Sequence, residues 1–464
     1  MKHTLSAILV MATLLFALPG CSSDDDFTTE TSSDCIVTSA SLGKLIRILH
    51  TKDSKGQDST YTEQVTGSYY PMYIDQLQGL IYNGDSLPTN VDLTRITFDY
   101  LTSTGTLAIR KLNSEEDTLF NAADTTDFSQ PRLLTVIATD GTSKRTYKVQ
   151  LNMHKEESET FRWQRICTQH PALVGLEHQH SIAANGRLYV FGTEAGMPYL
   201  FTATAAHPEQ WERHALKIAG ESSATAFNAN SVQHLKGTFY AISNGRLVRS
   251  TDAINWENVA SDLTPEALVG AGSNHLVAIA GDQLYTSYDG NHWTMDKRDT
   301  DGPLPTEEFA SNCIPSTTDP TFEDILLIGL ANGVPAVWKH NIDLTGGESF
   351  AWTYYPAAAD NPYNCPTITS PSLFTYDNAS LLVGLGTDQD AIDFYTSRDN
   401  GRTWKKKDFE CPKEMTRPTS ISAFADKNNF IWLVCGGTGE VWRGRLNRLG
   451  WQTPPTSFLK QQQP

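Results

Sequence analysis

The sequence predicts an all-β protein: an N-terminal immunoglobulin-like β-sandwich followed by a six-bladed β-propeller. Three observations lead there. First, runs with a two-residue period recur without a helical pattern, as where Tyr147, Val149 and Leu151 alternate with polar residues. Second, one tryptophan recurs near the end of each unit, at Trp163, Trp211, Trp256, Trp293, Trp352, Trp404 and Trp451, with spacings of 48, 45, 37, 59, 52 and 47 residues. Periods of that size with several short strands per unit belong to propeller blades. Third, six short apolar runs each precede a glycine or a polar turn containing one: Leu188–Phe191, Phe239–Ile242, Leu276–Ile279, Ile325–Ile328, Leu381–Gly384 and Ile431–Val434. Such runs suit strands buried inside a blade.

At the N-terminus, Lys2 precedes an apolar run from Leu5 to Leu18 that ends in Leu18-Pro19-Gly20-Cys21. The run is shorter than the ~20 residues that span a bilayer, so residues 1–20 are expected to be a signal peptide. The segment resembles the bacterial lipobox, although proline before the glycine is unusual there. The resemblance implies that Cys21 is acylated and becomes the mature N-terminus, a stable membrane anchor once two or more chains are attached. Residues 21–34 form an acidic, Ser/Thr-rich tether. Its Asp24-Asp25-Asp26 resembles the signal by which Bacteroidetes-type bacteria send lipoproteins to the outer face of the outer membrane, which implies display on the cell surface.

Residues 35–155 are assigned to the sandwich. Leu133–Ala138 and the strand around Tyr147 flank Asp140-Gly141, a hairpin signal, and further runs lie at Met72–Tyr82, Arg95–Tyr100 and Thr106–Lys111. The segments Tyr73-Ile74-Asp75-Gln76 and Ile81-Tyr82-Asn83-Gly84-Asp85-Ser86-Leu87-Pro88 resemble a pattern in Bacteroides surface lipoproteins of the DUF6242 type. That resemblance brings no activity with it.

Polar Lys155–Glu159 marks the boundary, residues 160–455 the propeller and 456–464 a polar tail. Ser397-Arg398-Asp399-Asn400-Gly401-Arg402-Thr403-Trp404 resembles the Asp-box (BNR) motif at every position. Ser287-Tyr288-Asp289-Gly290-Asn291-His292-Trp293 is a shortened form, and Ser250-Thr251-Asp252-Ala253-Ile254-Asn255-Trp256 lacks the glycine. In such a turn the carboxylate accepts backbone N–H bonds, glycine supplies positive φ, and tryptophan packs beneath. The strand holding Trp163 is surplus to six blades or closes the ring; a seventh blade inside the long Trp293–Trp352 interval is the alternative.

A net charge of −17 and the lack of a basic run exclude a nucleic-acid partner. Beyond Cys21, Cys35, Cys167, Cys313, Cys365, Cys411 and Cys435 form no C-x-x-C pair, so zinc-ribbon and thioredoxin chemistry are excluded and disulfide pairing stays open. Cys365-Pro366 and Cys411-Pro412 occupy similar places before consecutive blades.

Asp-box propellers include sialidases, which need three arginines on a carboxylate, a Tyr/Glu nucleophile pair and an Asp acid/base. Here Phe161-Arg162-Trp163-Gln164-Arg165-Ile166 runs into Cys167 where that family's Arg-Ile-Pro would continue. The expected function is therefore a surface binding or scaffold module for a glycan or another envelope protein, with a divergent glycan-active enzyme as the alternative. The candidate site lies where inner-strand entries and second-to-third-strand loops meet: Glu177, His178, His180, Asn228, Asn230 and Arg417. His178 and His180 at i, i+2 would share one strand face, a metal-compatible spacing that lacks a third ligand. Asp388, Asp390 and Asp393 sit in a second-to-third-strand loop that could ligate Ca²⁺ but reads as a solvated acidic loop. No cofactor is expected, and oligomeric state stays open.

Overall fold

The computed structural model describes residues 31–347, 349–387, 392–407, 409 and 411–451. Cys21, the signal peptide, most of the tether, Asp388, Asp390 and the polar tail lie outside them. The chain divides into two compact units at Lys155/Glu156, inside the polar boundary segment.

The regular elements of the first unit are strands apart from two short 3-10 turns. A six-stranded sheet runs Met72–Asp75, Leu80–Asn83, Lys144–Gln150, Arg132–Ile137, Thr106–Arg110, Asp117–Leu119. A two-stranded sheet, Val37–Leu42 with Phe98–Ser103, and a hairpin, Lys44–Lys52 with Asp58–Thr66, complete it. One core holds it together, with Val37, Leu42, Leu45, Ile81, Ile96, Leu134, Val136 and Tyr147 buried. The Asp140-Gly141 hairpin forms, Asp140 Oδ1 accepting the amides of Thr142 and Ser143 at 2.8 Å each. One feature departs from an all-antiparallel immunoglobulin sandwich: Lys144–Gln150 pairs in parallel with Leu80–Asn83.

The second unit is a ring of six sheets. Blade 1 comprises Leu176–Ala184, Arg187–Glu194, Met197–Thr204 and His207–Ala215; blade 2, Phe227–Leu235, Thr238–Ser243, Arg246–Ser250 and Asn255–Asn258. Blade 3 comprises Ala267–Ala271, Leu276–Ala280, Gln283–Ser287 and Thr294–Met295; blade 4, Glu307–Pro315, Phe322–Ala331, Val334–Asp343 and Thr353–Tyr355. Blade 5 comprises Thr369–Tyr376, Ala379–Leu385, Ile392–Ser397 and Lys405–Lys406. Blade 6 takes its inner strands, Ser420–Ala425, Ile431–Gly436 and Glu440–Leu446, from the end of the chain and its outer strand, Phe161–Cys167, from the start. All six apolar runs picked out in the sequence lie in second strands, where they are buried between neighbouring blades.

The ring therefore closes by joining the two ends of the propeller unit within one four-stranded sheet. Trp163 is the outer-strand tryptophan of blade 6, and its indole donates to Phe409 O at 2.8 Å. Trp451 follows a short 3-10 turn and belongs to no blade strand, so the tryptophan count begins one strand earlier than the sequence period alone fixes. The long Trp293–Trp352 interval is filled by the nine- and ten-residue strands of blade 4, with no sheet besides the six among the described residues of this unit.

The three Ser-x-Asp turns join third to fourth strands in blades 2, 3 and 5. In blade 5, Asp399 Oδ1 accepts from Thr403 N and Ser397 Oγ at 2.9 Å, Oδ2 from Thr403 Oγ1 at 2.7 Å, and the Trp404 indole donates to Gly401 O at 3.0 Å. Asp289 and Asp252 accept the equivalent amides, and Trp293 and Trp256 donate to Gly290 O and Ala253 O. Bonds from the His292 backbone and ring hold Asp289 down at about 2; for Asp252, burial acts upward but the Asn255 and Ile254 bonds outweigh it and leave it at about 2. Gly401 and Gly290 have φ of 91° and 77°, and Ala253 carries the same turn at 64° without glycine's freedom.

Candidate functional site at the channel mouth

The four successive strands of each blade are antiparallel, with Lys217–Ile218 added in parallel at the outer edge of blade 2, so first-to-second and third-to-fourth turns emerge on one face, and second-to-third turns with the blade-to-blade connections on the other. The inner strands surround a channel, and at the second face it opens into a mouth of about 260 Å³ lined by His178, Gln179, His180, Asn228, Asn230, Glu307, Glu308, Phe309, Ser370 and Pro371. These come from blades 1, 2, 4 and 5. The throat beneath shares His180, Asn230, Phe309 and Pro371 with the mouth and adds Ser181, Gln233, His234, Ser311 and Ser372.

The mouth is built from bulges. In blade 1 the register jumps between Glu177 and His180, in blade 4 between Glu307 and Ala310, and in blade 5 between Thr369 and Ser372. At each jump a non-glycine residue takes a left-handed backbone: His178 at φ 46°, Glu308 at 53°, Ser370 at 51°. Opposite each bulge stands the glycine that ends a second-strand run, Gly192, Gly329 or Gly384. A Cβ there would lie within 2.8–2.9 Å of Glu177 O, Glu307 O or Thr369 O. Those glycines admit the bulged backbone, and the bulge re-aims the next side chains toward the lumen. Blade 2 reaches a similar end by a larger register shift between Asn228 and Gln233, where Asn228 Oδ1 accepts Asn230 N at 3.1 Å.

The backbone amide of Ser370 donates to Glu308 Oε2 at 2.8 Å, tying blades 4 and 5 across the mouth. Burial raises the Glu308 carboxyl above its usual range; the Ser370 bond opposes this, the adjacent Glu307 adds to it, and His178 opposes it. In the throat, burial holds His180 neutral, at about 4, and lowers His234, whose Nε2 is buried without a hydrogen-bond partner.

Four of the six sequence-derived positions converge at the mouth: His178, His180, Asn228 and Asn230. Glu177 is exposed beside it, its carbonyl accepting from Thr193 Oγ1 at 3.3 Å, and is not a lining residue. Arg417 lies elsewhere, in a groove with Ile392, Cys411, Pro412, Lys413, Met415 and Thr416, and donates to Gly386 O at 3.3 Å. Its connection runs into blade 6, whose inner strand is paired in regular register, so nothing re-aims it toward the lumen. The i, i+2 relation of His178 and His180 does not place them on one face of a regular strand, because the bulge intervenes. Among the described residues no group of three or more His, Cys, Asp or Glu could hold a metal ion. Asp393 is inside the strand Ile392–Ser397, buried, with Lys406 Nζ 2.8 Å from its Oδ1. Cys365 is packed between blades 4 and 5 and Cys411 is exposed in the blade 5/6 groove; neither forms a disulfide.

Sequence reasoning missed Glu307, Glu308, Phe309, Ser370 and Pro371. Its usable signal was the glycine closing the second-strand runs of blades 1, 4 and 5, which marks the bulges facing it. Among the described residues, none of those lining mouth or throat is an arginine, so they form no three-arginine clamp there.

Residues 157–454 match a family model described as DUF6242 beta propeller domain, and residues 40–151 match that of the domain of unknown function (DUF6242) N-terminal domain. No curated protein matches the chain. Similar solved structures include a protein of unknown function from Dyadobacter fermentans (13% identity, TM-score 0.38, 61% of this chain and 98% of that one). A thermostable family-43 glycoside hydrolase is 11% identical at TM-score 0.33, covering 63% and 100%. The α-L-arabinofuranosidase of Podospora anserina, solved with cellotriose, is 12% identical at 0.32, covering 62% and 97%. At these scores nothing about activity follows from them.

Proposed function

Because the chain belongs to the DUF6242 family through both its N-terminal and its propeller domain, and the family's description assigns no activity, we propose a function from the propeller's own geometry. The protein is a binding module that takes a polar glycan at the channel mouth and is held at the outer face of the cell envelope by a lipid on Cys21, with the first unit as spacer. The Ser-x-Asp turns serve as Asp-boxes, structural closures on the opposite face.

The observation that carries this is the trio of left-handed non-glycine residues, His178, Glu308 and Ser370, at one level of three inner strands. Each costs of order 1–3 kcal/mol and persists only where the surroundings over-determine it, a pattern that gathers at ligand sites. The groups displayed are planar or hydroxylic: two carboxylates, amides, two imidazoles and the Ser370 hydroxyl. Phe309 and Pro371 add apolar surface for the C–H face of a pyranose.

A glycan array probed with the full chain tests the site. Bound oligosaccharides are expected to be lost with Asn230→Ala and His178→Ala and kept with Asp399→Ala; hits unchanged in the first two variants would refute the mouth as the site. Cys21→Ser is expected to abolish incorporation of a clickable fatty acid, and retained label would overturn the anchor.

A further inference from the structure

Resting on the mouth as the binding site, we propose that the group it recognises is a protonated primary amine on the glycan, so that the ligand class is an amino sugar rather than a neutral or acidic one. Among the described residues, those lining mouth and throat include two carboxylates, Glu307 and Glu308, and neither lysine nor arginine. Glu308 is half-buried and uses Oε2 on the Ser370 amide, and among the described residues no ion pair reaches Oε1 or the Glu307 carboxylate. Three other covered carboxylates of the propeller are matched by cations, Asp377 by Arg448, Asp393 by Lys406 and Asp324 by Lys339, and two are held by protein donors, Asp296 by Thr286 and Trp352 and Glu323 by the Ser273 amide. A concave site that keeps an acceptor-only group partly desolvated and leaves its charge unmatched is complementary to a cation that brings N–H donors.

The throat beneath carries His180, Asn230 and His234, the last with its ring against Phe239 and its Nε2 buried without a partner. Both imidazoles are kept neutral by burial, so they do not repel a cation and can bond sugar hydroxyls. A uronate or sialate would instead set a third carboxylate against Glu307 and Glu308. The chain's net charge of −17 adds a long-range attraction for cations.

The test is titration calorimetry on the full chain with four probes: the β-1,4 glucosamine tetrasaccharide, its fully N-acetylated form, a galacturonate tetrasaccharide and tetralysine. Binding of the glucosamine tetramer is expected, weakened about tenfold or more by N-acetylation, by Glu308→Gln, or by raising the pH until the amine is discharged. The galacturonate is expected not to bind. Thermal melting confirms that Glu308→Gln is folded, and Glu307→Gln, at an exposed position, provides a second readout. Equal binding of the acetylated tetramer with no effect of either Glu→Gln change would overturn the amine while leaving the mouth in place. Glutamate-dependent binding of tetralysine alone would overturn the sugar. Amine-dependent binding indifferent to Glu307, Glu308 and His178 would overturn the mouth itself.

Discussion

Replacing Asp399 by alanine removes the acceptor of three hydrogen bonds at once: Thr403 N at 2.9 Å, Thr403 Oγ1 at 2.7 Å and Ser397 Oγ at 2.9 Å. Hydrogen bonds to a charged group contribute roughly 1.5–3 kcal/mol each when shielded, but this carboxylate is solvent-exposed and the two hydroxyls can turn to water. The amide of Thr403 cannot turn without opening the turn that places Trp404 over Gly401 O. A net loss of roughly 1–3 kcal/mol follows, or about 2–8 °C in melting temperature for a unit of this size. Asp399→Asn keeps one acceptor oxygen and is expected to lose less. The sign of the pH dependence is fixed. Burial acts upward on the Asp399 carboxyl, the Thr403 and Ser397 bonds outweigh it, and its folded pKa is lowered. Its contribution is therefore full above the unfolded value of about 3.9 and fades as pH falls through the folded one, so wild type and variant converge in acid. Calorimetric melting at pH 7 and pH 3.5 measures this. An Asp399→Ala protein that melts like wild type at pH 7 would show that the carboxylate does not hold the turn.

Gly329→Ala would set a methyl 2.6 Å from Pro305 Cβ and 2.9 Å from Glu307 O. A loss of about 1–3 kcal/mol is expected, with the Glu308 bulge displaced and mouth binding lost; unchanged binding would mean that the bulge does not position the site. Acid should weaken the propeller between pH 6.5 and 4. Burial holds His180 at about 4, and holds His340 at about 4 against the Phe350 carbonyl bond, so the unfolded chain takes these protons first and stability is lost as pH falls through that window. Asp296, raised by burial to about 6 despite bonds from Trp352 and Thr286, acts oppositely between pH 6 and 3.8 but stands against three histidines, since burial holds His275 at about 4 as well. His340→Gln should flatten the profile, and a melting temperature constant from pH 6.5 to 4.5 would refute the account.

The blades were legible because burial on both sides forces their second strands into unbroken apolar runs, and because Trp404 and its counterparts fix a turn chemistry that glycine and aspartate spell out locally. Closure was only half legible. Trp163 and Trp451 flank the same closing region, and nothing local distinguishes a strand that pairs with residues nearly 300 positions away from a tail that does not. The site was legible as a level in the fold rather than as a set of side chains. His178, His180, Asn228 and Asn230 could be placed from strand order alone, whereas Glu308 and Ser370 depend on bulges, and a bulge shifts facing by one residue with no change in composition. Arg417 was misplaced for the same reason: the inner strand it precedes has no bulge.

Ring closure and the mouth are mechanically one problem. Gln179, between the two mouth histidines, ties its side-chain amide to blade 6: its Nε2 donates to Ser422 Oγ at 3.1 Å, and Ser420 Oγ donates both to its Oε1 at 3.0 Å and to Leu176 O at 2.8 Å. Those partners belong to blade 6, the blade assembled from both ends of the propeller unit. At the opposite face Arg448 joins Glu159 and Asp377, each at 2.6 Å, so the incoming strand, the last turn and blade 5 are held together there. Because the residue that aims His178 and His180 is also the one that stitches blade 1 to blade 6, any opening of the seam moves two mouth residues relative to Glu308 and Ser370. A ligand that bridges blades 1 and 2 to blades 4 and 5 binds only the closed ring. By linkage it stabilises closure by RT ln(1 + [L]/Kd), about 2.7 kcal/mol at a hundredfold excess over Kd. Occupancy of the mouth therefore reports through the melting of the whole propeller, whereas the Ser-x-Asp turns act on their own blades from the opposite face.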